Sequence, residues 1–273
     1  MLMETHRLNE LHAFRFKPKA DPNYALVISH GLASHGGIYD VFCEHHAAKG
    51  VDIWSYDAPG HGRSTTNRPR GTWTMEEWAQ ASRDFAAHVK ELTGVPVFTL
   101  GSSLGVAAAI SAIDSDAVTG TICMGSPAVP GSPGMKMLGA YWRSDEVKSM
   151  LDTLGRAARL DIPIFFDFDE DYGYKGAKEQ KMMDPWNTWS YDLASWASLF
   201  QYNPPVLAEN TKPVLFTSGE KDPSFPPEII QMAASAIGGP VEVNILDDAG
   251  HQLMLFHTAE FSEAVHTFCL ANI

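Results

Sequence analysis

Gly101-Ser102-Ser103-Leu104-Gly105 sets a serine between two glycines in the pattern G-x-S-x-G. In that setting a serine acts as a nucleophile. The central residue sits on a tight strand-to-helix turn, and small residues two positions away on each side let the turn form without clashes. The turn exposes Oγ, and the helix N-terminus behind it favours developing negative charge. Ser102 is read as packing in the turn. A serine hydroxyl is a poor nucleophile until a base takes its proton and an acid holds that base in one tautomer. Those partners follow such a serine in the order acid, then histidine. His251 lies in Asp247-Asp248-Ala249-Gly250-His251, directly after an apolar run at 241–246, whereas His257 and His266 fall near or within a final helix. Asp222 follows the run Val214-Leu215-Phe216-Thr217, one strand earlier, with Glu220, Asp247 and Asp248 in reserve.

Acyl transfer also needs backbone N–H groups aimed at the oxyanion. The residue after the nucleophile, Leu104, supplies one. The other is expected from His30-Gly31-Leu32-Ala33-Ser34-His35-Gly36-Gly37, with Leu32 as the donor. His30 and His35 have no carboxylate or cysteine at ligand spacing beside them, so they are read as shaping the loop rather than holding a metal.

These groups need a frame. Apolar runs at 11–16, 24–29, 52–56, 95–100, 119–124, 212–217 and 241–246 predict strands. Helical patterns at 38–49, 74–92, 106–113, 226–237 and 259–270 alternate with them, and Thr74-Met75-Glu76-Glu77 is a capping box. Strands alternating with helices predict a mostly parallel sheet covered on both faces. Residues 127–205 break the rhythm. They open on Pro127, Pro130, Gly131, Pro133 and Gly134, are rich in Met, Trp and Tyr, and close on Pro204-Pro205. The predicted organisation is a core of 1–126 and 206–273 with a mainly helical insertion of 127–205.

Trp142, Met183, Trp186 and Trp189 are the substrate-contact candidates in that insertion. Trp189, Leu193, Trp196 and Phe200 recur at helical spacing, which either packs the insertion on the core or lines an apolar pocket. The acidic run Asp167-Phe168-Asp169-Glu170-Asp171 reads either as a solvated loop or as a site for a substrate ammonium. No cluster of Lys or Arg stands ready for a phosphate or a highly anionic substrate.

The 273 residues suit one α/β domain with an insertion, and 45 % hydrophobic against 19 % charged residues gives a full core and excludes disorder. A net charge of −13 without a basic stripe argues against nucleic-acid binding. Cys43, Cys123 and Cys269 form no metal or CxxC spacing. The N-terminus lacks the apolar run of a signal peptide or membrane span, so the expected location is cytoplasmic.

Together these stretches resemble the α/β-hydrolase family that holds monoacylglycerol lipases, lysophospholipases and carboxylesterases. His30 to Tyr39, Asp57-Ala58-Pro59-Gly60-His61-Gly62-Arg63-Ser64, Gly101 to Gly105, the G-x-x-D at Gly219 to Asp222, and Gly250-His251 carry the resemblance. Ser102 stands where the family often has His, and Leu104-Gly105-Val106 where it has Met or Leu-Gly-Gly. Neither departure removes a catalytic group. The resemblance implies an α/β-hydrolase fold, an eight-stranded-type sheet with a helical cap. It implies a serine hydrolase cleaving small to medium apolar carboxylic esters through an acyl-enzyme on Ser103, with a small-molecule ester as partner. Amide, aminopeptidase or C–C bond cleavage uses the same triad, and ligand receptors and cofactorless oxygenases occur on the same fold. No cofactor or metal is implied, and the chain is expected to be a monomer or homodimer.

Overall fold

The computed structural model describes residues 2–65, 67–204 and 207–273. Its main sheet contains β1 (Leu2–Leu8), β2 (Leu11–Lys17), β3 (Tyr24–Ser29), β4 (Val51–Tyr56), β5 (Val97–Ser102), β6 (Val118–Met124), β9 (Val214–Gly219) and β10 (Val241–Leu246). A separate two-stranded antiparallel ribbon, β7 (Arg159–Asp161) with β8 (Ser190–Asp192), lies between β6 and β9 in the chain. The main strands run in the order β1-β2-β4-β3-β5-β6-β9-β10. β2 is antiparallel to both neighbours, and every pairing from β4 to β10 is parallel.

Every residue of β3, β4, β5 and β9 is buried, which is why they read as mostly apolar runs. Alternation sends Ala25 and Val27 of β3 to one face and Tyr24, Leu26 and Ile28 to the other. Helices α2 (Met75–Thr93), α3 (Val106–Ser111) and α9 (Pro227–Ala234) cover the first face. Helices α1 (Asp40–Ala47) and α11 (Thr258–Ala271) cover the second. The predicted capping box forms: Glu77 N–H donates to Thr74 Oγ1 at 3.1 Å and Thr74 N–H to Glu77 Oε2 at 2.9 Å.

β1 is absent from the sequence reading. Leu2-Met3-Glu4-Thr5-His6-Arg7-Leu8 carries charges along a strand that pairs only with β2. Such an edge strand needs no continuous apolar run.

Between β6 and β9 lie α4 (Pro133–Trp142), α5 (Asp145–Leu154), α6 (Phe168–Tyr172), α7 (Ala177–Met182) and α8 (Leu193–Gln201). Side chains from this stretch satisfy core backbone groups. Ser195 Oγ accepts from Trp73 N–H at 2.8 Å, and Ser198 Oγ from Met75 N–H at 2.9 Å. The predicted boundary at Pro205 lies outside the described residues.

Candidate active site

Ser103 sits where β5 ends and a 3₁₀ turn leads into α3, with a φ of 51°. A non-glycine residue there is strained, by roughly 1–3 kcal/mol. The surroundings enforce the turn. A Cβ at Gly101 would collide with Val106 backbone, and one at Gly105 with the Ser29 and His30 carbonyls. The two glycines of the motif are required by close backbone approach. Gly31 packs so tightly that a Cβ there would lie 3.3 Å from Ser103 Cβ, which brings the His30–Ala33 loop beside the serine.

The loops after β9 and β10 bring Asp222 and His251 together. Nδ1–H of His251 donates to Asp222 Oδ2 at 2.7 Å. Asp222 Oδ1 accepts from Ser224 N–H at 2.8 Å and Phe225 N–H at 2.9 Å, which holds the carboxylate in place. Both side chains are buried, at 1 % and 0 % exposure. Burial pushes the His251 imidazole down, but the Asp222 hydrogen bond and the charges of Asp171 and Asp222 outweigh it and hold it above its ordinary value. Among the described residues Nε2 makes no hydrogen bond to Ser103, as is common in unliganded sites. Glu220, Asp247 and Asp248 are exposed, and His266 bonds Tyr24.

The His30–Gly37 loop, the expected source of an oxyanion donor, is fixed by buried histidines. His30 Nδ1–H donates to the Gly31 carbonyl at 2.9 Å, so Nε2 accepts from Ala58 N–H at 3.0 Å. His61 Nδ1–H donates to the Pro59 carbonyl at 3.0 Å, leaving Nε2 to accept from Tyr191 O–H at 2.9 Å. Tyr191 in turn accepts from Ala33 N–H at 3.0 Å. His35 Nδ1 accepts from Gly37 N–H at 3.1 Å, and its Nε2–H donates to Asp184 at 2.7 Å. Asp57 takes Gly36 N–H at 2.8 Å and Arg63 N–H at 2.7 Å, tying the Asp57–Ser64 loop to the same place. Among the described residues no acceptor takes the Leu32 N–H. Leu104 N–H lies in a first helical turn, which offers no acceptor of its own.

Two recesses meet at Ser103. The first is an apolar groove of about 260 Å³ lined by Leu104, Met135, Phe166, Trp196, Leu199 and Phe200, among others. The second is a small polar recess with about 20 Å³ of free space, bounded by Ser34, Tyr39, Asp171, Tyr172, Lys181 and Gln252, among others. Leu32, Ser103 and Phe166 border both. Of the substrate-contact candidates, none borders either. Trp142 stacks on the far side of Phe200 at 5.4 Å. Met183 is 83 % exposed. Trp186 lies at the surface with the Arg63 guanidinium 4.1 Å over its ring. Trp189 packs behind Phe168 at 5.2 Å. Large apolar residues were singled out by type, but burial of a tryptophan needs only a wall, not a ligand.

Sequence reasoning passed over two residues. Asp171, from the acidic run, is 2 % exposed by side chain and lies with Oδ1 3.7 Å from His251 Nε2. Ser224 O–H donates to its Oδ1 at 3.1 Å and Gln252 Nε2–H to its Oδ2 at 2.6 Å. The run caps and forms α6 rather than a loop; Asp167 and Glu170 are exposed, whereas Asp171 is buried. Lys181, on α7, is the other. The usable signal was local: Phe168, Asp171 and Tyr172 fall at i, i+3, i+4 on one helical face.

A family model described as the alpha/beta hydrolase family matches residues 26–264. The chain belongs to the alpha/beta hydrolase family. It is 32 % identical over 132 residues to a monoglyceride lipase homolog of Monkeypox virus, covering 46 % of this chain and 46 % of that protein. It is 34 % identical over 101 residues to the monoglyceride lipase of Mus musculus, covering 35 % of this chain and 31 % of that protein. The matched stretches thus span less than half the length of these curated relatives. A carboxyl esterase of Bacillus coagulans, solved in complex with glycerol, aligns with a TM-score of 0.76 at 15 % identity, covering 99 % of this chain and 98 % of that one. A monoacylglycerol lipase of Paleococcus ferrophilus aligns with a TM-score of 0.70 at 20 % identity, covering 96 % and 99 %. This alpha/beta hydrolase therefore shares the family's fold along nearly all of its length. Among its described residues no helix is long and apolar enough to cross a membrane.

Proposed function

We propose that this alpha/beta hydrolase is a serine esterase cleaving carboxylic esters of small to medium apolar substrates, monoacylglycerol or aryl esters among them. The observation that carries the reading is Ser103 at a φ of 51°, where an apolar groove meets a polar recess, with the buried His251–Asp222 pair on neighbouring loops. The similarity to monoglyceride lipases supports the same class of bond. The acyl chain lies in the groove and the alcohol in the recess. His251 Nε2 takes the Ser103 proton as Oγ attacks the carbonyl carbon. Leu32 and Leu104 N–H groups receive the oxyanion, and Asp222 stabilises the imidazolium. Collapse transfers the proton from Nε2 to the departing alkoxide and leaves an acyl-enzyme. Water, deprotonated by His251, cleaves that ester and restores Ser103.

Residues 127–205 act in this scheme as a cap that roofs the groove. A cytoplasmic setting agrees with three buried cysteines, none of them paired in a disulfide, and fractionation of the tagged protein tests it. Monomer and homodimer are separated by light scattering.

The test is labelling by a fluorophosphonate and turnover of p-nitrophenyl esters of increasing chain length, on wild type and Ser103→Ala. Labelling and turnover lost together in the variant uphold the reading. Labelling without ester turnover redirects the search to amides or C–C bonds. Folded wild-type protein that neither labels nor turns over overturns the enzyme reading.

A further inference from the structure

The polar recess beside Ser103 is bordered by a cation, Lys181, that has no ion-pair partner among the described residues. Lys181 is 9 % exposed, and its side chain reaches between three rings. Nζ lies 5.7 Å from the Phe168 and Tyr172 ring centres and 5.9 Å from that of Trp189. Among the described residues it has neither a hydrogen-bond acceptor nor a carboxylate at ion-pair distance. The two nearby carboxylates attract it only at longer range and direct their hydrogen bonds elsewhere. Asp184 accepts from His35 at 2.7 Å and from Trp186 N–H at 2.8 Å. Asp171 accepts from Ser224 and Gln252. The backbone of Lys181 is anchored too, its carbonyl accepting from Asn187 Nδ2 at 2.8 Å.

A buried ammonium without acceptors is costly, and contacts with ring faces at this distance return only part of what water gave it. An incoming group with oxygen acceptors recovers the rest through charge-assisted hydrogen bonds. Burial pushes the ammonium down to about 8, which leaves it mostly charged at neutral pH. The recess has about 20 Å³ of free space, which suits a compact planar group rather than a chain or a phosphate ester.

We infer that Lys181 determines specificity for the alcohol half of the substrate, receiving a carboxylate carried on the leaving group a short distance from the scissile ester. This rests on Ser103 being the reacting residue, and within the esterase reading it specifies an apolar acid joined to an alcohol that carries a carboxylate.

The test uses O-butyryl glycolate against O-butyryl glycolamide, which differ only in the charged end. Calorimetric binding to the Ser103→Ala protein is expected to favour the glycolate by about tenfold or more, the scale of one hydrogen bond to a charged group. The preference is expected to disappear on adding Lys181→Met and to persist with Lys181→Arg. Equal or tighter binding of the glycolamide by Ser103→Ala alone overturns the inference, whatever the double variants do. Turnover of p-nitrophenyl butyrate by wild type reads the esterase proposal separately, so either can fail without the other.

Discussion

Asp171 Oδ1 lies 3.7 Å from His251 Nε2, on the side of the imidazole opposite its 2.7 Å hydrogen bond to Asp222. One buried histidine is thus flanked by two carboxylates. Asp222 fixes the tautomer, and Asp171 adds negative charge where the proton must arrive.

Asp171→Asn is expected to shift the acid limb of the pH–kcat/KM profile to lower pH. The His251 imidazole is held above its ordinary value partly by the Asp171 charge, so removing that charge makes protonation harder and extends the active base form downward. A profile that does not move, or moves up, would mean that Asp171 has no electrostatic hold on the base.

Asp222→Asn preserves the shape of the site while removing the charge that supports the imidazolium. Turnover should fall by about 10⁴-fold, with the melting temperature changed much less. Steady-state kinetics alongside thermal melts separate the two effects, and a loss below tenfold would move the role of acid to another residue.

Gly105→Ala drives a methyl group into the Ser29 and His30 carbonyls. Overpacking of this kind costs about 1–3 kcal/mol or more. Urea unfolding should show that loss, and fluorophosphonate labelling should fall with it because the same carbonyls border the oxyanion loop. An alanine variant as stable as wild type would show that the turn has room to spare.

Leu138→Trp fills the mouth of the apolar groove, which Leu138 borders while remaining 57 % exposed. The kcat/KM for octanoyl esters should fall about tenfold relative to acetyl esters, the discrimination of a few methylenes in an apolar pocket. An unchanged ratio would place the acyl chain elsewhere.

Acid should destabilise the fold through its buried histidines. Burial holds His46 at about 3 and His61 at about 4, against an ordinary value of 6.5. The unfolded chain therefore binds more protons, and the stability these residues contribute, present above pH 6.5, is lost as pH falls toward their folded values. His251 has the opposite sign: its contribution is present below pH 6.5 and is lost as pH rises through its raised folded value. Thermal melts between pH 7 and pH 4 should show a falling midpoint, with His61→Gln reducing the slope.

Much of this site was legible because its chemistry is local in sequence. Ser103 announces itself through Gly101 and Gly105, whose absent side chains are required by close contact with the Val106 backbone and with the Ser29 and His30 carbonyls. His251 and Asp222 could be found from chain order and from the strands that precede them. β1 escaped because an edge strand tolerates charges. Asp171 and Lys181 escaped for another reason: charged residues in an insertion look solvated until the fold buries them. Trp142 and Trp186 lie outside both recesses, since apolar bulk in sequence does not say which wall it faces.

Tyr191 belongs to the inserted stretch, yet its hydroxyl accepts from Ala33 N–H and donates to His61 Nε2. Two buried polar groups of the core thus depend on a residue about 130 positions or more away, and deleting or exchanging the insertion would strand both. The consequence is one of inheritance. In this chain the inserted stretch is not a detachable module that evolution can swap freely; any replacement must bring a hydroxyl to the same point, or the loop holding Leu32 loses its shape.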